Sequence, residues 1–520
     1  MHLPFAVAPL TIDFTIVTNG EGLSGGFAYF DVPMVTRVIA MNGYVYVAPI
    51  YGVPDDQVPA LLASMRPRFR DFAAETPAYW SAALPELLAI YDQMEQFDVD
   101  KLAPAALVDG WLEAWRGLAR AWVIHFIIIR GAYRISEDLA DLYASIMPAA
   151  PKGTGYRLIQ GRVDVLHEVD LGLEHLAHAA AASPAIAGRL RQDPVPSLEE
   201  LAGFREGRAF VGLVNEFLKA HGHLGQTFSD FSEASWAEDP SGLLAELARR
   251  LVHPPEPAAE RRWRLRLEAH ELAADAMRQL ADRPVELAEF ERVLALAREV
   301  GPLTETHNYW IDRMSQARLR SLAMRVGGRL ARDHTIAEPE DVLYLYRDEI
   351  TALIAEPRPM AEIVAKRRAE YERQKTVTAP RAIGRVDGEH ESAAEARSEP
   401  ASQVASSAVT QELRGIGASA GVIRGPARVT LAPADFDRIG PGDIIVCPAT
   451  NPSWVPVFAI AAGLVTNTGG ILAHAAVVAR EFGLPAVVGV AGATLRIADG
   501  QIIEIDGTAG RVRLLQVGER

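Results

Sequence analysis

With 520 residues, 49% hydrophobic and 23% charged, the chain has the composition of a globular protein and is too long for one ordinary domain. Its formal charge of −15, with no block of Lys and Arg, argues against a nucleic-acid partner, whose phosphates need a basic footprint. A single cysteine, Cys447, excludes an internal disulfide and a zinc site built of several thiolates.

The opening "MHLPFAVAPL" has no basic flank ahead of its apolar residues, so no signal peptide is expected. Residues 1 to about 55 read as irregular structure and short strands, with a turn and β-type alternation in "NGYVYVAPIYGV" (42–53). From about 56 to 373, apolar residues recur at three- and four-residue spacing, as in "LLAELARRLV" and "LAEFERVLALAREV". That spacing predicts helices, with breaks near Pro151, Pro194 and Pro254–Pro255. The longest apolar run, "AWVIHFIII" (121–129), is about half the ~20 residues a membrane helix needs, so no membrane partner and a cytoplasmic location are expected.

Composition then shifts. Residues 376–410 are rich in Ala, Ser, Glu and Pro and read as a flexible linker, because they carry too little apolar surface to offset their ordering. Residues 411–520 alternate short β runs with one helix at 473–482, and Cys447 in "GDIIVCPAT" reads as an inert core thiol. The predicted fold is multidomain: a large, mainly α-helical domain over 1–375, the linker over 376–410, and a small α/β domain over 411–520.

Within the small domain, "NTGGILAHAAVVAREFGLPAVVG" (467–489) carries the strongest chemical signal. A strand, "GLVT", runs into Gly469–Gly470, and the following helix stops at Gly483 with Pro485 beyond it. His474 falls in the first helical turn, where free N–H groups and the helix dipole converge on any anion. A neutral imidazole there can accept a phosphoryl group as a nucleophile. The plain alternative is a histidine that caps or packs the turn.

The stretch "TNTGGILAHAAVVAREFGLPAVVG" resembles the phosphohistidine motif of the swivelling domain in phosphoenolpyruvate-utilising enzymes, among them pyruvate phosphate dikinase, phosphoenolpyruvate synthase and rifampin phosphotransferase. Thr466, Gly469, Gly470, His474, Arg480, Gly483, Pro485 and Gly489 match it, as do "GIGASAGVIRGPARV" (415–429) and "PATNPSWVPVF" (448–458) upstream. The resemblance implies that His474 is the phosphoryl carrier, with Thr466, Gly469, Gly470 and Arg480 supporting the phosphate and its loop. Ala473 departs from the family, which usually has Ser or Thr before the histidine; a hydroxyl that would bond the phosphate is missing.

The helical part resembles the substrate-binding region that adjoins the swivel in rifampin phosphotransferase and its relatives, in "FLKAHGHLGQTFSDFSEASWAEDP" (217–240) and "AEPEDVLYLYRDEI" (337–350). "GPLTETHNYWIDRMSQARLR" (301–320) most resembles the branch with phenylphosphate synthase and the cresol-phosphorylating enzymes. No Gly-rich phosphate loop or Walker motif is evident, and "NGEGLSGG" (19–26) lacks the following Lys and helix. The resemblance therefore implies a two-component system. A separate ATP-grasp subunit, with ATP and Mg²⁺ bound there and no cofactor in this chain, would phosphorylate His474. The group would then pass to a small hydroxylated, phenolic acceptor, in phenol phosphorylation of the kind used in aromatic degradation. A drug- or antibiotic-phosphorylating relative and a non-enzymatic regulatory phosphocarrier are the alternatives.

Acceptor chemistry is sought around residue 307. Leu303, His307, Ile311 and Met314 share a face, so His307 sits in an apolar stripe beside Tyr309 and Trp310. A phenol ionises near pH 10 against about 6.5 for histidine, so His307 is a candidate acceptor base; a core histidine is the alternative. Glu305, Asn308 and Asp312 fall on the opposite, polar side, either as a solvated face or as a surface for the phosphohistidine loop. Tyr309, Trp310 and Asp312 are the substrate-binding candidates. His223 is a second candidate base, but His221 and His223 do not share a helical face and no carboxylate completes a ligand set, so no metal site is expected. Trp236, Glu238 and Asp239 read as a structural turn, and Glu174 with His178 as a helix-surface pair.

Overall fold

The computed structural model describes residues 6–151, 153–162, 165–192, 194–225, 231–377, 383, 411–431, 433–450, 454–458, 460–471 and 473–515. Nearly all of the expected linker, 376–410, therefore lies outside the described residues, as do residues 451–453 ahead of the histidine motif. The chain is mostly helical and forms two compact units, one drawn from Met1–Ile135, Gly212–Leu243 and Pro302–Ile383, the other from Ser136–Val211, Leu244–Gly301 and Gly384–Arg520. Among the described residues no helix is long and apolar enough to cross a membrane.

In the first unit the expectation of irregular structure before residue 55 is corrected. Pro9–Thr15 is α-helical, Ile16–Gly22 continues as a π-helix, and Leu23–Ala28 is α-helical again. The glycines that make "NGEGLSGG" look like a loop are there for packing. A Cβ on Gly22 would lie 2.6 Å from Trp122 Cβ, and one on Gly26 2.5 Å from Phe126 Cβ. Only hydrogen at these positions lets the segment lie against the helix Pro104–Ile146.

The expected hairpin follows, with β1 (Met34–Met41) antiparallel to β2 (Tyr44–Tyr51). Asn42 and Gly43, at φ 50° and 73°, form the tight connection, as the right-handed twist of a hairpin prefers. The helix Val58–Gln96 runs through Pro67, Pro77 and Pro85 without ending, so proline does not mark a boundary there. Phe14 is the aromatic hinge of the core, 4.8 Å from the Phe231 ring and 6.0 Å, edge-on, from Trp122.

The second unit combines helices of residues 136–211 and 244–301 with the α/β domain. Its eight-stranded sheet comprises β3 (Gln411–Arg414), β4 (Ile416–Ser419), β5 (Val422–Val429), β6 (Ile444–Cys447), β7 (Gly463–Thr466), β8 (Ala486–Val488), β9 (Ile502–Asp506) and β10 (Arg511–Leu514), in the order β3-β10-β9-β5-β6-β7-β8-β4. The pairs β5–β6, β6–β7 and β7–β8 are parallel, the rest antiparallel. Both faces of the parallel part are covered, so β6 is apolar throughout. Ile445 and Cys447 pack under the helix His474–Phe482, while Ile444 and Val446 face Val465, Ile503 and Ile505. Burial pushes the Cys447 thiol well up, in keeping with an inert core residue.

Candidate functional site

The region around His474 is built by β7 and the helix after it. β7 ends at Thr466, whose backbone carbonyl accepts from Val490 N–H at 2.8 Å and whose hydroxyl donates to the Thr468 carbonyl at 2.7 Å. The loop is pinned further by Asn467, which donates from Nδ2 to Thr494 Oγ1 at 2.7 Å and accepts from Thr494 N–H at 2.9 Å. Gly469 adopts φ +120°, open only to glycine. Ala473 is the N-cap, in extended geometry and with no side-chain cap, and His474 is the first helical residue. His474 is partly exposed while Ala475, Ala476, Val478 and Ala479 behind it are buried. Gly483 closes the helix in the left-handed conformation at φ 66°.

Arg480 lies on this helix and is buried. Its Nη1 donates to the carbonyls of Ile471, at 2.9 Å, and Ala418, at 3.0 Å, and its guanidinium lies over the Tyr156 ring. Arg480 therefore braces the loop ahead of His474 against β4.

In the first unit the structure gathers the histidines differently from the linear spacing. Leu303–His307 is α-helical, Asn308–Arg313 is π-helical and Met314–Arg332 is α-helical again, as one continuous run. A π-turn holds an extra residue and rotates the following side chains relative to a straight helix. The expected solvated face is corrected: Asp312, within the π-turn, is 7% exposed, and Glu305, on the α-helical turn before it, is 4% exposed.

His307, at 1% exposure, has Nδ1 2.6 Å from the Leu303 carbonyl. Burial, with His125 beside it, lowers its pKa to about 4, so it is a neutral imidazole. His125, which sequence reasoning passed over inside "AWVIHFIII", stacks on Trp122 and meets the His307 ring edge-on at a centroid distance of 4.6 Å. His125 Nδ1 lies 2.7 Å from Asp312 Oδ1.

A second group forms around Tyr309. Its hydroxyl donates to the Ala220 carbonyl at 2.9 Å and lies 2.8 Å from His221 Nδ1, and its ring meets that of His223 edge-on at 4.4 Å. Burial lowers the His223 pKa to about 3, with His221 and two arginines adding to the effect. Trp310 is partly exposed next to Tyr309. Thus His221, His223 and Tyr309 form one group, and His125, His307 and Asp312 another.

The Trp236 turn is structural. Glu238 accepts from the Ser235 backbone and hydroxyl, both at 3.0 Å, and from Arg320 Nε. In the second unit, Glu174 Oε2 accepts from Ala258 N–H at 3.1 Å, tying down the start of the helix Ala258–Gln279, a role beyond the surface pair expected from its spacing. The first unit also holds an apolar cleft of about 550 Å³ between Leu23–Ala28 and the hairpin, lined by Gly25, Ala28, Val32, Met34, Ile50 and Tyr51 among others.

The site thus combines a Gly-Gly turn after β7, a histidine on the first turn of the following helix and a parallel sheet covered on both faces. Residues 439–510 match the PEP-utilising enzyme mobile domain, and residues 141–305 match the fourth domain of rifampicin phosphotransferase. Over these two stretches the chain is similar to the PEP-utilising enzymes and to rifampicin phosphotransferase. It is 31% identical to chondramide synthase cmdD of Chondromyces crocatus over 95% of this chain and 13% of that protein. It is 29% identical to the uncharacterized phosphotransferase YvkC of Bacillus subtilis over 76% of this chain and 47% of that protein. Rifampicin phosphotransferase of Bacillus subtilis is 29% identical over 68% of this chain and 40% of its own length. The chain thus spans less than half the length of these curated relatives.

Proposed function

We propose that the chain relays a phosphoryl group through His474 to the hydroxyl of a small-molecule acceptor. The observation that carries this reading is His474 itself, on the first turn of the helix that follows Gly469–Gly470 in the matched mobile domain. In the first half-reaction an imidazole nitrogen attacks phosphorus, an N–P bond forms and the donor's P–O bond breaks. The donor is ATP with Mg²⁺, held by a separate ATP-grasp subunit. Backbone N–H groups at the helix start and the helix dipole then balance the phosphate charge. In the second half-reaction the acceptor oxygen attacks phosphorus, the N–P bond breaks, and a base takes the hydroxyl proton.

The acceptor is a phenol in the first reading, with the helical domain binding it. Tyr309, Trp310 and the neutral imidazole of His223 support that reading. That imidazole is buried, so a base role requires the acceptor to be enclosed beside it. A second reading, a bulkier hydroxylated antibiotic, is favoured by the relatives named rifampicin phosphotransferase and by the apolar cleft of about 550 Å³, a size suited to a drug-like ligand.

The test is to incubate the chain with an ATP-grasp protein and labelled ATP, then assay acid-labile phosphate. Wild type is expected to label and His474→Ala to stay blank. Equal labelling of the two refutes the relay. Addition of phenol, cresol or a rifamycin to the labelled protein then discharges the phosphate onto the acceptor and separates the two readings.

A further inference from the structure

We infer that His125, His307 and Asp312 form a binding site for a divalent transition-metal ion of the zinc type. The three side chains are 8%, 1% and 7% exposed, and one potential ligand atom from each lies within 4.8 Å of the others. They come from separate stretches, the helix Pro104–Ile146 and the two halves of the α-to-π transition at residue 308. Chain spacing therefore gives no metal-binding motif; the fold assembles it.

The contact between His125 and Asp312 points to an ion. Nδ1 and Oδ1 approach to 2.7 Å, yet the ring N–H is not directed at the oxygen, and both atoms are buried with no hydrogen-bond partner. Two buried polar atoms left in this way are costly. An ion bridging Nδ1 and Oδ1 satisfies both lone pairs at once. His307 completes the set, because its Nδ1 is engaged by the Leu303 carbonyl and Nε2 keeps the free lone pair. That carbonyl also fixes the ring orientation, as partners of metal-bound histidines commonly do.

Imidazole and carboxylate donors suit zinc or a neighbouring first-row ion better than Mg²⁺, which prefers oxygen alone. Bond lengths near 2.0–2.1 Å place tetrahedral ligands roughly 3.3 Å apart, so the 2.7 Å His125–Asp312 pair opens slightly on binding while wider separations in the set, at most 4.8 Å, close. Three protein ligands leave a fourth position for water or an oxygen of a bound molecule.

The experiment uses the full chain without a polyhistidine tag, stripped with chelator and titrated with Zn²⁺ alone, with bound metal measured by mass spectrometry. A single saturable site is expected, with Co²⁺ giving the visible absorption of a four-coordinate centre. Asp312→Asn and His307→Gln, folded by circular dichroism, are expected to weaken binding by about tenfold or more. His474→Ala is expected to bind Zn²⁺ as wild type does, so the result is independent of the relay. The inference is overturned if stripped wild type shows no saturable Zn²⁺ binding and no Co²⁺ spectrum. It is equally overturned if Asp312→Asn binds as tightly as wild type, or if His223→Gln alone abolishes binding.

Discussion

Arg480 Nη1 donates to the Ile471 carbonyl at 2.9 Å, so the last turn of the histidine helix reaches back to the loop that precedes His474. The same guanidinium holds the Ala418 carbonyl on β4. Truncation to Ala leaves two carbonyls without their charged donor, a loss of about 2–3 kcal/mol locally. Arg480→Ala is expected to speed amide hydrogen exchange in residues 473–482 severalfold and to lower His474 labelling. Arg480→Lys, which lacks the planar fork, recovers only part of the effect. Unchanged exchange in the Ala variant contradicts the positioning role.

Ala473 occupies the N-cap at φ −65° and ψ 152°, the geometry in which a Ser or Thr oxygen accepts from the first helical turn. Its backbone carbonyl already receives Ala476 and Val477 N–H. Ala473→Ser is therefore expected to stabilise the helix by about 0.5–1 kcal/mol, seen as slower hydrogen exchange there. The added hydroxyl also lies beside the phosphate position, so phosphohistidine in this variant is expected to hydrolyse more slowly than in wild type. Faster exchange shows that the cap site cannot take an oxygen.

His223 gives a pH dependence with a definite sign. Its pKa falls from 6.5 to about 3 on folding, with burial the main cause. Between those values the unfolded chain binds the extra proton, so this residue's share of stability is present above about pH 6.5 and is lost as pH falls. Against His223→Gln, wild type is expected to lose up to about 1.4 kcal/mol for each pH unit below 6. Parallel urea-unfolding curves for the two proteins at pH 7, 6 and 5 measure it. A difference constant across that range contradicts the assignment.

How much was legible in the sequence depends on how far apart the cooperating residues lie. The helix that starts at His474 is readable because everything that makes it, Gly469–Gly470, His474 and Gly483, is local. The hairpin turn at Asn42–Gly43 was readable for the same reason. His125 was hidden because an apolar run masks one polar residue, and its partners His307 and Asp312 meet it only in the folded core. Straight-helix spacing places Asp312 on the polar side, and the π-turn at Asn308–Arg313 rotates it inward. Gly22 and Gly26 suggested a loop, but their function is contact with Trp122 and Phe126, which no local pattern encodes.

Asp170 carries the last prediction, about the second unit. Its Oδ1 accepts from Arg250 Nη2 at 2.8 Å and its Oδ2 from Arg261 Nη2, while Arg250 Nε also donates to Glu246 Oε1 at 2.7 Å. Asp170, Arg250 and Glu246 are 4%, 5% and 3% exposed, so the network is sealed from water. Burial works to raise the Asp170 pKa, but Arg250 and Arg261 override it and leave the carboxyl below its usual 3.8. Removing the carboxylate leaves Arg261 without its acidic partner and Arg250 with Glu246 alone, where solvent cannot replace it, and breaking a buried pair in this way costs about 3–5 kcal/mol. Asp170→Ala is expected to lower the denaturation midpoint of the transition that unfolds the helices of residues 165–181 and 258–279, with Asp170→Asn close behind because the amide cannot balance the charge. The depressed pKa also fixes the sign with acid: the carboxylate's contribution is complete above about pH 4 and disappears as pH falls through its folded-state value. In the Ala variant that acid-sensitive component is absent, and a variant that loses less than about 1 kcal/mol shows the network to be near neutral.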